Sequence, residues 1–185
     1  NKEFKPNKKN IKVLDLGCGA GRHLVFFAEN KCDIIGYDIS TEAIKCAKQF
    51  LNFRKIKKFI LLDSLNSRHI KDNDIDVIVS HGVLDSMAEK DAKKYIAIAK
   101  LKLKKQGLFY VEVLGKKTSK PEHIKSTRDT YIIKHKHEYN TFQTCYDDNK
   151  IKNLFKKFSI IEKYTVTQKN KKSIHEMHIL IMKNS

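Results

Sequence analysis

Apolar runs of strand length alternate with stretches of helical period along most of the chain. Strands are predicted over 11–16 (IKVLDL), 32–37 (CDIIGY), 58–62 (KFILL), 75–80 (IDVIVS) and 108–114 (LFYVEVL). Each is a short apolar or β-branched run with polar or turn residues at its ends. A helix over 41–52 puts Ala43, Ile44, Ala47 and Leu51 on one face. A second, over 90–104, carries Tyr95, Ile98, Leu101 and Leu103, with Gly107 as its stop. Strands that alternate with helices predict a parallel sheet covered on both faces.

The rhythm breaks at 115–140. This stretch is polar, carries Pro121, and has one short β-like piece at Tyr131–Ile133. A run that long without its own structure is expected to be a lid or a substrate loop. After it the pattern predicts a helix over 147–157, then strands over 158–166 and 173–182 around a turn at Lys169–Lys172. At 185 residues the expectation is one domain, 1–185, with 115–140 as a lid insertion.

The most specific local signal follows the first strand. Gly17-Cys18-Gly19-Ala20-Gly21-Arg22 leads directly into an amphipathic stretch. Glycines tolerate positive φ and let a ligand approach the backbone, and the helix start aims its unpaired N–H groups into the same space. The spacing is G-x-G-x-G, unlike the G-x-G-x-x-G of dinucleotide folds, and there is no G-x-x-x-x-G-K-[ST]. Asp15, two residues ahead of the first glycine, is a poor neighbour for a pyrophosphate and a good one for a cation. Asp38 ends the second strand about 20 residues downstream, where a ribose-binding acid is expected. The other role open to Asp38 is a cap on the helix that Ser40, Thr41 and Glu42 begin.

The string Val13-Leu14-Asp15-Leu16-Gly17-Cys18-Gly19-Ala20-Gly21-Arg22 resembles the first motif of class I S-adenosylmethionine-dependent methyltransferases. The resemblance implies an α/β fold: a Rossmann-like, doubly wound, mostly parallel seven-stranded sheet with an antiparallel strand in its C-terminal hairpin. It implies S-adenosyl-L-methionine as cofactor. The Gly17, Cys18, Gly19 and Gly21 loop would hold the methionine portion, with Asp15 near its ammonium. Asp38 would hold the ribose, Ile39 would pack on the adenine face, and Asp63 and Ser64 would meet the adenine edge. The fourth strand would deliver Ser80, His81, Gly82 and Val83 to the reacting centre, with Ser80 on the cofactor side.

Nucleic-acid amino methyltransferases usually carry [DN]-P-P-[YF] after the fourth strand, and this chain has Ser80-His81-Gly82-Val83 there. That points to a small-molecule acceptor, through a hydroxyl or carboxyl oxygen, with His81 as general base or as a packing neighbour of the ligand. His135, His137 and Tyr139 are candidate substrate-facing residues of the lid. No third ligand completes a metal site with His135 and His137, so no metal is expected. In His175-Glu176-Met177-His178 the histidines of a strand point to opposite faces, which reads as structural.

Charge changes the picture less than its size suggests. The formal net charge is +17, but it comes almost wholly from lysine spread along the chain. Solvated faces account for most of it; an anionic acceptor or partner, or nucleic acid, is the alternative. Cys18, Cys32, Cys46 and Cys145 form no C-x-x-C pair and read as reduced thiols of a cytoplasmic protein. No apolar run approaches a membrane span. The polar start does not resemble a signal peptide, and it lacks an initiator methionine, so a trimmed chain is expected. Two other functions stay open: an RNA or protein methyltransferase, and a non-catalytic domain that binds S-adenosylmethionine.

Overall fold

The computed structural model describes residues 10–65, 69–119, 123–125, 130–133, 141–171 and 173–185. In chain order the elements are β1 (Lys12–Leu16), α1 (Arg22–Glu29), β2 (Asp33–Tyr37), α2 (Thr41–Phe53), β3 (Ile60–Leu62) and β4 (Ile75–His81). A single 3₁₀ turn at Leu84–Ser86 leads to α3 (Glu89–Lys102) and β5 (Leu103–Leu114). Then come β6 (His123–Lys125), β7 (Thr130–Ile133), β8 (Phe142–Thr144), α4 (Asp148–Leu154), β9 (Phe158–Lys169) and β10 (Ile174–Asn184).

Seven strands form one sheet in the order β3-β2-β1-β4-β5-β10-β9. β1 pairs in parallel with β2 and β4, and β2 in parallel with β3. β10 runs antiparallel to both β5 and β9. This is the expected mostly parallel, Rossmann-like sheet with an antiparallel strand in its C-terminal hairpin.

The chain divides into two compact units. One holds the residues up to Val79 together with Lys102–Gly107; the other holds Ser80–Leu101 and Leu108–Ser185. In the first, Leu24 and Val25 of α1, Ile34 of β2 and Leu51 of α2 form one buried cluster with Cys18. Each such aliphatic side chain stabilises the fold by about 1.5–3 kcal/mol. Gly36 lets α1 come this close. A Cβ on it would lie 2.6 Å from Leu24 Cδ1 and 3.0 Å from Cys18 Sγ. In the second unit Phe109 of β5 packs edge-on to Phe155 and tilted against Phe158, with ring centroids 6.2 and 5.4 Å away. Tyr146 is fully buried, and its hydroxyl donates to the Leu84 carbonyl at 2.8 Å.

Three elements differ from the sequence pattern. Helix α3 ends at Lys102 and β5 starts at Leu103, so Gly107 lies inside a strand. A Cβ at Gly107 would sit 2.9 Å from the Lys104 carbonyl oxygen and 3.1 Å from that of Asp76. The glycine therefore serves close backbone approach rather than a helix stop. Lys104 pairs with Asp76 at 2.6 Å, and Lys102 with Asp72 at 2.9 Å. Helix α4 is shorter than the predicted 147–157, because Asp147 caps it through Lys150 N–H at 2.9 Å and Phe155 closes it. Within 115–140 the described residues are not structureless. β6 and β7 lie there and pair antiparallel, and β8, just beyond the stretch, completes a three-stranded sheet.

Candidate functional site

In the first unit the loop after β1 is stitched to the end of β2. Gly17 and Cys18 both donate their N–H to the Tyr37 carbonyl, at 2.7 and 2.8 Å. Gly17, Gly19 and Gly21 all have positive φ, at 79°, 51° and 87°. Gly19 is the informative one. A Cβ there would meet nothing within 4 Å, so its glycine serves the left-handed backbone and leaves open space over the loop.

Asp38 joins the two ends of this unit. Its Oδ2 accepts from Gly19 N–H and its Oδ1 from Ser40 N–H, both at 2.9 Å. The cap of α2 is Ser40, whose hydroxyl accepts from Ala43 N–H at 3.2 Å. Asp38 thus orders the loop and leaves the capping to Ser40. Each carboxylate oxygen can accept a second hydrogen bond, so the group can also receive ligand hydroxyls.

Asp15 lies beneath the loop. It is 1% exposed, and neither of its oxygens has a hydrogen-bond partner among the described residues. His23 Nδ1 lies 3.6 Å from Oδ2. Burial, aided by the charges of Asp15 and Asp38, pushes the Cys18 thiol up to about 12. Cys18 stays a protonated wall of the loop and is not a nucleophile. Ile39 is 79% exposed, and Asp63 and Ser64 are exposed just after β3. These residues, with a buried carboxylate that accepts no hydrogen bond from the described residues and an open glycine loop, fit a ligand with a cationic head and a hydroxylated ring.

Ser80 and His81 end β4. Ser80 is fully buried, and its hydroxyl has no partner among the described residues. His81 Nδ1 lies 3.2 Å from Glu112 Oε2 on β5. Tyr110 O–H donates to the same oxygen at 3.3 Å. Burial and the Glu112 charge push that phenol up to about 12, so it remains a donor. Gly82, at φ 66°, donates its N–H to the Glu112 carbonyl at 3.2 Å. A carboxylate on Nδ1 favours the tautomer whose lone pair is on Nε2, which suits a base.

Asp85 and Glu112 were not anticipated from the sequence. Asp85, in the 3₁₀ turn, is 5% exposed. Its Oδ2 accepts from Leu114 N–H at 3.1 Å, and its Oδ1 has no partner among the described residues. Burial pushes its carboxyl up to about 6, and the Glu112 charge adds to that. A single acid in an apolar context was the signal available for each.

His135, His137 and Tyr139 lie outside the described residues. Among the described residues no group of three or more His, Cys, Asp or Glu could hold a metal. His175 is exposed, while Glu176 and His178 are buried. The two histidines do face opposite sides of β10. His178 shares a hydrogen bond with the Thr165 hydroxyl at 3.0 Å, and burial holds its imidazole below the usual range.

A family model described as a methyltransferase domain matches residues 7–174. The chain belongs to the S-adenosylmethionine-dependent methyltransferases. S-adenosyl-L-methionine is the cofactor of this methyltransferase family. A SAM-dependent methyltransferase structure from Methanosarcina mazei matches with a TM-score of 0.78 and 17% identity, over 96% of this chain and 93% of that one. The 1,6-didemethyltoxoflavin-N1-methyltransferase of Burkholderia thailandensis, solved with 1,6-didemethyltoxoflavin and S-adenosylhomocysteine, matches with a TM-score of 0.69 at 16% identity. It is covered over 72% of its length, against 96% of this chain. At such identities the shared property is the fold.

Sequence relatives align over part of their length. An uncharacterized protein of Rickettsia prowazekii is 29% identical over 110 residues, which is 57% of this chain and 44% of that protein. The cyclopropane-fatty-acyl-phospholipid synthase of Escherichia coli is 32% identical over 111 residues, 60% of this methyltransferase chain and 28% of the synthase. The matches thus span less than half the length of these relatives. No helix among the described residues is long and apolar enough to cross a membrane.

Proposed function

We propose that this chain transfers a methyl group from S-adenosylmethionine to an oxygen of a small-molecule acceptor. The cofactor supplies a methyl on a sulfonium, and the protein supplies binding, alignment and a base. Asp15 takes the cofactor's ammonium, which gives its buried carboxylate a hydrogen-bond partner that no described residue supplies. Gly17, Cys18, Gly19 and Gly21 hold the methionine portion. Asp38 takes the ribose hydroxyls on the lone pairs that Gly19 and Ser40 leave open. Ile39, Asp63 and Ser64 take the adenine, and Ser80 lies on the cofactor side of β4.

The observation that carries the oxygen reading is the pairing of His81 Nδ1 with Glu112 Oε2 at 3.2 Å. A neutral hydroxyl attacks poorly until its proton is drawn away, and a carboxylate-held imidazole is the group for that task. His81 is the base and Glu112 its positioning residue.

The test is methyl transfer from labelled cofactor to three pools: hydroxylated small molecules, total RNA, and undermethylated protein. Oxygen-methylated small molecules support the proposal. Label in RNA, with steep salt dependence, would replace it with a nucleic-acid function suited to the +17 charge. Tight cofactor binding with no transfer to any pool would mean a non-catalytic binding domain.

A further inference from the structure

We infer that the acceptor carries a cationic group, an ammonium or its equivalent, and that Asp85 with Glu112 receives it. This rests on the proposed oxygen transfer and adds the class of acceptor. The argument begins with charge. The chain has 38 Lys and Arg against 21 Asp and Glu. Yet among the described residues Asp85 has no ion-pair partner, although it is 5% exposed. A buried carboxylate without a cation is costly unless something else completes it.

The described residues around it do not complete it. Leu114 N–H satisfies one oxygen, and the other accepts nothing from the described residues. The neighbouring charge, that of Glu112, has the same sign. The Tyr146 phenol also feels the charge of Asp85, but its hydroxyl is committed to the Leu84 carbonyl. Glu112 in turn faces His81 and Tyr110. The acids here are thus two carboxylates, Asp85 buried and half satisfied and Glu112 facing the proposed base. An acceptor that brings a positive nitrogen together with a hydroxyl fits both demands. An anionic acceptor would face two like charges.

The experiment measures binding to the protein saturated with S-adenosylhomocysteine. The probes share one phenol and differ at the other end: tyramine, 4-ethylphenol and 4-hydroxyphenylacetate. A shorter set is 3-aminopropan-1-ol against 3-hydroxypropionate. The amine of each set should bind at least about 10-fold tighter than its acid, as a charge-assisted hydrogen bond provides. Asp85→Asn keeps an acceptor for Leu114 N–H and should remove most of that preference; its thermal melt checks that it is folded. Amine and acid within about threefold of each other would overturn the inference, as would acid binding tighter or an undiminished preference in Asp85→Asn. Transfer assays separate the two claims. Oxygen methylation of 4-ethylphenol with no preference for tyramine sinks this inference and leaves the oxygen reading standing. Tight tyramine binding with methylation only on nitrogen does the reverse.

Discussion

Asp85→Asn should make the protein more stable relative to wild type as the pH rises. Burial raises this carboxyl from 3.8 to about 6, which corresponds to about 3 kcal/mol of differential interaction. The unfolded group ionises from pH 3.8, while the folded one keeps its proton until about 6. In that window the unfolded chain sheds a proton that the native state holds, so rising pH erodes stability. Above it the whole cost of burying the charge is present. An asparagine has no such cost, although its amide N–H group finds no ready partner and lowers the absolute gain by about 1–3 kcal/mol. The pH-dependent part is free of that offset. From pH 4.5 to 7.5 the variant should gain about 2 kcal/mol on wild type. Urea unfolding at the two pH values reads this directly. With a slope of about 2 kcal/mol/M, the gap between the two midpoints should change by about 1 M. A gap that is the same at both pH values would refute the reasoning, because Asp85 would then ionise alike in the folded and unfolded chains.

Asp38→Ala should weaken S-adenosylhomocysteine binding by about 1.5–3 kcal/mol in calorimetric titration, since charge-assisted bonds are lost; unchanged affinity removes Asp38 from the site. His81→Ala should lower kcat by about 10²–10⁴-fold, and a drop below about threefold would make it a packing residue. Glu112→Gln should lower kcat more than it raises the KM of the acceptor, because it disturbs the orientation of the base rather than substrate binding; a pure KM effect contradicts that role. Gly36→Ala should destabilise the fold by about 1–3 kcal/mol in urea unfolding, because its Cβ would press on Leu24, Leu61 and Cys18; an unchanged midpoint would mean those side chains yield freely.

Local chemistry made the first unit legible in the sequence. The run Val13–Leu16, the three loop glycines and Asp38 announce a strand, a left-handed loop and an acid at the tip of the next strand, and the strand and loop are consecutive. The seven-stranded sheet and the antiparallel strand of its C-terminal hairpin followed from the family resemblance, not from periodicity. Gly107 misled because a glycine that stops a helix and one that admits a neighbouring backbone look alike in sequence. In 115–140 the β-like piece at Tyr131–Ile133 falls on β7, whereas β6 is only three residues long, too short for alternation to register. Glu112 sits 31 positions from His81, and Asp85 is one acid in a 3₁₀ turn. Their significance depends on pairing across strands and on burial, and neither is written in local spacing.

Two carboxylates stand apart from the rest for the same physical reason. Asp15 is 1% exposed and Asp85 5%, and each has at least one oxygen with no partner among the described residues. Several other acids among the described residues are instead paired with lysine, as Lys12–Asp74, Lys104–Asp76 and Lys116–Asp147 show. With so many lysines at hand, pairing either buried acid would have been the simple way to relieve its desolvation. A residue that keeps such a cost where a cheap remedy exists marks a place where stability was surrendered to something else. Under the proposed function the cation that completes Asp15 is the ammonium of the cofactor, and under the further inference the one that completes Asp85 is the cation of the acceptor. Both assignments rest on burial and missing partners alone, so either can fail without the family assignment failing. Restoring a partner inside the protein is therefore a direct check. A lysine introduced at Leu114 or Met87 that pairs with Asp85 should raise the unfolding midpoint and abolish the preference for amines together. A rise in stability with the amine preference intact would separate the buried charge from acceptor binding and leave Asp85 as a costly tie to the backbone of β5.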